Sequence, residues 1–291
     1  ETNILRAFEA GWGGVVTKTI GLHPVVNVYG AKAKFMRTSL GTAMVSMKKR
    51  PDAALHSSWN WELISDKPLD WWEPRLRRIK DAFPDRVLIA SIMEEYNRDA
   101  WHEIVERCQD AGCDAFELNM SCPHGLPERK MGAAMGENPD ILEEVCRWVM
   151  EVAKRPVWAK MTPNVTHIED PTRASLRAGC DGIAAINTIR SVMGVHLDTL
   201  RPEPAVEGYT TPGGYSCQAV MPIALRMCME VAQVIKKEFP GRTLSGIGGI
   251  ETGKDAAQFI LLGCDTVQVC TGVMKFGYEM VKPMQEQLLA F

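Results

Sequence analysis

Several polar or reactive side chains stand at or just beyond the ends of apolar, strand-like runs: Lys18 after GGVVT, Asn119 and Cys122 in ELNMSCPHG, Lys160 in PVWAKMT, and Asn187 with Thr188 in DGIAAINT. Where parallel strands alternate with helices in a barrel, catalytic groups gather at the C-terminal strand ends. A carboxamide offers both a donor and an acceptor, so Asn119 and Asn187, with Asn60 in SSWNWELIS as a third, suit a ligand whose edge alternates the two. Lys160 sits in an otherwise apolar run and needs an anion to stay charged, which leaves it either functional or half of a structural ion pair. Two turns close the last strands, Gly246-Ile247-Gly248-Gly249 and Cys270-Thr271-Gly272. Amides after those strands form the usual phosphate site of such a barrel, although a tight strand-to-helix turn also accounts for a glycine pair. His124 suits a loop hydrogen bond as well as a catalyst. Read from residue chemistry alone, the set describes a polar, neutral heterocycle beside a phosphate-bearing cofactor.

The elements that must position these groups recur along the chain. AGCDAFELNM (111–120), AGCDGIAAIN (178–187) and LGCDTVQVCT (262–271) each follow an amphipathic run, turn through a glycine, pass Cys-Asp and enter an apolar strand. Further strands are expected at 13–19, 87–93, 156–162 and 243–249, which makes seven. Helices are expected at 3–9, 98–110, 138–154, 170–178, 217–238, 252–262 and from 277. Apolar strands alternating with helices argue for a parallel sheet covered by helices. The count favours a single α/β domain over 1–291, a (β/α)8 TIM barrel whose first strand lies upstream of the sequence in hand. Residues 20–86 and 189–216 interrupt the rhythm and are expected to be ordered loops over the site.

The whole chain has 291 residues, 46% hydrophobic, with a formal net charge of −3, which offers no general attraction to nucleic acid or to an anionic membrane. No apolar run reaches the roughly 18 residues of a membrane span. The nine cysteines are scattered and form no C-x-x-C pair or ferredoxin-type run, and no set of metal ligands stands out. Cys108, Cys113, Cys146, Cys180, Cys217, Cys228 and Cys264 are expected to be packing residues.

FEAGWGGVVTKT, NWELIS, VLIASIM, ELNMSCPHG, AKMTPNVT, TPGGYS, GIGGIETG and VQVCTG, in this order, resemble the dihydropyrimidine dehydrogenases, in their flavin-containing, dihydroorotate-dehydrogenase-like barrel. TLRPEP, GYTTPGGYS and VCTGVM favour the short, plant-type form, which lacks the iron-sulfur and FAD/NADPH-binding regions of the long form. The resemblance implies NADPH-dependent reduction of uracil and thymine through FMN, the first step of pyrimidine breakdown toward β-alanine. It implies that Lys18, Asn119, Lys160, Thr188, Gly248, Gly249, Cys270 and Thr271 hold FMN. Asn60, Glu62, Asn119, Asn187 and Thr188 would surround the pyrimidine, and Cys122 would be the general acid. The sequence contains no G-x-G-x-x-G fingerprint, so electrons reach FMN from NADPH either directly or through a reductase partner. A homodimer in the plastid stroma is expected, with the cytoplasm as the alternative. Three competing readings are dihydroorotate dehydrogenase, an aldolase-like barrel using Lys160 as a Schiff-base lysine, and a non-catalytic binding subunit.

Overall fold

The computed structural model describes residues 1–24, 57–60, 63–120, 132–203 and 212–291; Cys122, Glu62 and His124 lie outside them. The chain opens with helix α1 (Thr2–Ala10), which buries Ile4, Ala7 and Phe8 and ends at Gly11 with φ 110°. Then follow β1 (Gly14–Val16), β2 (Ser58–Asn60), α2 (Leu69–Ala82), β3 (Val87–Ile92), α3 (Arg98–Asp110), β4 (Ala115–Asn119), α4 (Ala133–Gly136), α5 (Pro139–Val152), β5 (Val157–Lys160), α6 (Glu169–Arg177) and β6 (Gly182–Ala185). The second half holds β7 (Ile189–Ser191), β8 (Gly194–His196), β9 (Arg201–Glu203), β10 (Gly213–Ser216), α7 (Met221–Glu238), β11 (Thr243–Ile247), α8 (Gly253–Leu261), β12 (Thr266–Gln268), α9 (Thr271–Phe276) and α10 (Val281–Leu289).

Seven strands form one parallel sheet in the order β1-β3-β4-β5-β6-β11-β12. These are the seven strands expected from the sequence, and with their helices they make a curled, TIM-barrel-like α/β fold. Among the described residues β1 and β12 each pair on one side only. The curl brings the two ends of the chain together: Trp12, just before β1, donates its Nε1–H to the Tyr278 carbonyl beyond α9 at 2.8 Å.

Strand alternation separates two surfaces. Leu88, Ala90, Ile92, Phe116, Leu118, Val157 and Ala159 join one buried core with Trp101, Ile104, Val105, Leu142, Val145 and Val149 of the covering helices. The opposite face of the strands carries Ser91, Glu117, Asn119, Lys160, Ser245 and Gln268, an unusually polar lining.

The repeated Gly-Cys-Asp turn clamps neighbouring strands at the end of the sheet remote from Asn119. Asp114 accepts from Leu88 N at 2.8 Å, Asp181 from Val157 N at 2.9 Å and Asp265 from Leu244 N at 2.7 Å. Each aspartate's own N–H returns a bond to the carbonyl of the same residue, at 2.9, 2.9 and 2.8 Å respectively. The cysteines of these turns are buried and share hydrogen bonds with Cys108, Cys146 and Cys228, which with burial push the thiols of Cys108, Cys180 and Cys228 up. All seven cysteines expected to be packing residues are buried.

The two interruptions are more regular than expected. Residues 20–86 contain α2, whose Leu69, Trp72, Leu76 and Ile79 form one buried stripe although Pro74 lies inside the helix. Among the described residues of 189–216 there are four strands. Two of them, β7 and β10, pair antiparallel and take β2 as a third member in the order β2-β10-β7. Helix α7 with its preceding turn, Gln218–Glu238, is long and apolar enough to cross a membrane, beyond the sequence expectation. Met221, Ala224, Met227, Cys228, Val231, Val234 and Ile235 are nevertheless buried in the fold, several of them in the core.

Candidate active site

The C-terminal strand ends carry a continuous hydrogen-bonded chain of neutral side chains. Ser91 and Thr19 share a hydroxyl–hydroxyl bond of 2.8 Å. Asn119 donates Nδ2–H to Thr19 Oγ1 at 2.9 Å, and Asn187 donates Nδ2–H to Asn119 Oδ1 at 3.1 Å. Asn187 Oδ1 in turn accepts from Thr188 N at 2.8 Å. The two asparagines singled out by position therefore touch, and Thr188 closes the series. Register explains it: the parallel strands deliver the segments after β1, β4 and β6 to the same end of the sheet.

Lys160 lies directly across from Asn119 in register, yet its Nζ reaches back to Glu117 Oε1 at 2.9 Å. Glu117 is 2% exposed, and its second oxygen accepts from Gln268 Nε2 at 2.7 Å. Gln268 also donates to Ser245 Oγ at 3.2 Å. Four strands thus contribute to a charged layer one side-chain step below the asparagines. The expected anion for Lys160 exists, and sequence reasoning missed that it is Glu117, two residues before Asn119.

The small antiparallel sheet covers the same end. Asn60 sits across from Gly214, which in turn faces Arg190, two residues beyond Thr188. A Cβ at Gly214 would fall 2.4 Å from Thr188 Oγ1, so glycine is what lets the lid strand lie against that side chain. Asn60 is half-buried at this edge. Asn164 adds support: its Nδ2 donates to Thr162 Oγ1 at 3.1 Å and its Oδ1 accepts from Arg190 N at 2.9 Å.

The remaining expected residues occupy the rim. Lys18 is exposed immediately after Thr17, whose hydroxyl accepts from Ser91 N at 3.0 Å. Gly248 and Gly249 take φ 145° and 76°, and Cβ atoms there would meet Ala224 Cβ at 2.5 Å and Met221 Cβ at 2.9 Å. Their glycine identity is accounted for by backbone conformation and packing on α7. Cys270 is exposed, and Thr271 opens α9 with its hydroxyl toward Cys217. Beside them Lys275 Nζ contacts both Glu251 oxygens at 2.5 and 2.7 Å, with the two side chains 11% and 8% exposed. Cys217 Sγ lies 3.6 Å from the same carboxylate, and burial pushes its thiol up. Glu251 and Lys275 were not singled out from sequence, the ETGK stretch after the glycine pair being the available signal for Glu251, whereas Cys217, expected to be a packing residue, is buried.

The model of the family described as dihydroorotate dehydrogenase matches residues 64–291. The chain is 54% identical over its full length to an Arabidopsis thaliana protein named dihydropyrimidine dehydrogenase (NADP(+)), chloroplastic, of which it covers 67%. It is 40% identical, over 97% of its length and 65% of the relative's, to the Escherichia coli K12 NAD-dependent dihydropyrimidine dehydrogenase subunit PreA. The chain thus spans about two thirds of the length of these relatives. In fold it matches a dihydroorotate dehydrogenase from Eimeria tenella, solved with ferulenol, at TM-score 0.74 and 22% identity, over 99% of this chain and 78% of that one. With the polar amide chain at the strand ends and the seven-stranded barrel sheet, these likenesses show that the chain belongs to the dihydroorotate dehydrogenase family, on its dihydropyrimidine dehydrogenase branch.

Proposed function

We propose that this chain is the FMN-bearing catalytic barrel of a dihydropyrimidine dehydrogenase that reduces uracil and thymine to their 5,6-dihydro forms with electrons from NADPH. The observation that carries the reading is the Asn119–Asn187–Thr188 chain, a fixed array of neutral donors and acceptors at the strand ends. The donor set fits a flavin as well as a pyrimidine: hydroxyls, carboxamides and two lysines, held at the end of the sheet where the lid strands lie.

Lys18, Asn119, Lys160, Thr188 and the turns at Gly248-Gly249 and Cys270-Thr271 would hold FMN. Asn60, Glu62, Asn119, Asn187 and Thr188 would surround the base. Bound FMN supplies the hydride that goes to pyrimidine C6. Carboxamide N–H groups directed at the pyrimidine carbonyls stabilise the enolate-like charge that develops, and Cys122 delivers the proton to C5. In its thiol form a cysteine carries the one proton that this step consumes. The lid strands would exclude water from the site.

Orotate, the substrate class of the sister enzymes, bears a carboxylate that needs a cation. Lys160 is already engaged by Glu117 at 2.9 Å, which favours a neutral base over an anionic one. The plastid is the compartment proposed, from the chloroplastic relative. A separate reductase for the NADPH electrons follows the E. coli relative, which is named as a subunit. The hairpin β8–β9 exposes Val195, Leu197 and Leu200 and is where we place the expected homodimer contact.

The test is a visible spectrum of the purified protein, an anaerobic titration with uracil, and turnover of Cys122→Ala. Bound flavin perturbed by uracil, with turnover in Cys122→Ala lowered by orders of magnitude while uracil still binds, is the expected result. A colourless protein, or one turning over dihydroorotate and not uracil, would overturn the reading.

A further inference from the structure

We propose that Glu117 is a positioning residue that fixes Lys160 in place and offsets its charge, and thereby sets how strongly the barrel stabilises negative charge on a bound flavin. The inference rests on the flavin reading above and deepens it.

Glu117 and Asn119 share one face of β4, about 7 Å apart along the strand at two residues' rise. Lys160 faces Asn119 in register, so an undirected lysine at this position would extend among the amides. Its Nζ instead lies 2.9 Å from Glu117 Oε1, on the layer beneath. A carboxylate only 2% exposed is costly unless both oxygens are satisfied, and the second is met by Gln268 Nε2 at 2.7 Å. Gln268 is itself braced on Ser245 Oγ at 3.2 Å. Polar residues from β4, β5, β11 and β12 are committed to holding one ion pair in a layer where apolar side chains would pack more simply. What the arrangement secures is a cation of fixed location with most of its long-range field cancelled. Glu117 touches neither flavin nor base in this scheme; it acts through Lys160.

The balance of charge follows directly. With Glu117 ionised, the floor of the site is neutral overall. Glu117→Gln keeps the shape and an oxygen for Lys160 but leaves the ammonium's field unopposed. Reduced anionic flavin is then stabilised more than oxidised flavin, and the midpoint potential moves to a more positive value. Lys160→Met moves it to a more negative value.

The experiment is an anaerobic redox titration of the FMN-loaded protein for the wild type, Glu117→Gln, Lys160→Met and the double variant. The expected result is an upward shift for Glu117→Gln that is clearly smaller in the Lys160→Met background, because Glu117 acts through the ammonium it holds at 2.9 Å. An unshifted potential in flavin-bound Glu117→Gln overturns the proposal, as does an equal shift in both backgrounds. Should Glu117→Gln not fold, Gln268→Leu removes the second donor without changing formal charge. It leaves the carboxylate less offset and should lower the potential; no change there also overturns the proposal. Failure of the wild type to hold FMN would instead refute the flavin reading, so the two failures are told apart.

Discussion

Two buried glutamates illustrate how the partner, and not the burial alone, decides what a carboxylate does. Glu117 has a lysine and an amide on its two oxygens. Glu94, 7% exposed after β3, accepts from Leu22 N at 2.6 Å, and burial pushes its pKa above the usual carboxylate value against the pull of the backbone bonds from Leu22 and Glu95. A raised native pKa means that, between the unfolded value of about 4.3 and the native one, the folded protein binds more protons than the unfolded chain. Stability from this group is therefore present at low pH and lost as pH rises through that window. Glu94→Gln keeps an oxygen for Leu22 and removes the ionisation, so its urea midpoint should fall less between pH 4.5 and pH 7 than the wild type's and be higher at pH 7. Equal slopes for the two proteins would refute the assignment. Asn119 and Asn187 were legible because each stands at a strand end. Glu117 was equally visible in ELN, but a single charge in a strand signals a partner only when the neighbouring strand's lysine is read with it.

Among the elements, those set by local periodicity were readable and those set by distant pairing were not. The seven core strands follow from apolar runs bounded by glycine turns, and the Gly-Cys-Asp repeat was visible as a pattern. Its purpose, an aspartate seizing the first amide of the adjacent strand, depends on which strands lie side by side. Helix α2 was hidden by Pro68, Pro74 and paired tryptophans, which read as loop signals although its apolar stripe is intact. The lid was hidden for another reason: β2, β7 and β10 span only three or four residues each, and β2 finds its partner more than 150 positions away. The contact between β10 and Thr188 makes the lid testable. Gly214→Ala inserts a methyl group where the nearest atom is 2.4 Å away, so β10 must lift from Thr188. KM for uracil should rise on the order of tenfold, the loss of about 1.4 kcal/mol of binding, with flavin content kept; an unaltered KM would mean that the lid does not touch the base site.

On the scale of the whole molecule, the curl of the sheet places the start and the end of the described chain in contact. Trp12→Phe removes the bond to the Tyr278 carbonyl while keeping an aromatic body, and should lower unfolding stability by about 1 kcal/mol, seen as a reduced midpoint with an unchanged m value. A change in m would point instead to separate unfolding of the two ends. Strand order and helix cover were legible from the sequence because alternation of the two element types leaves few topologies open. The charged floor under the amides was not, since it is made by four strands that meet only once the sheet is curved. The same curvature gives the row from Ser91 to Thr188 a direction. Asn187 donates to Asn119 and Asn119 donates to Thr19, so neither carboxamide can turn over without breaking its neighbour's bond. The two asparagines recognise as one unit with a built-in sense, and a heterocycle that presented its donors and acceptors in reverse order would have to invert both together.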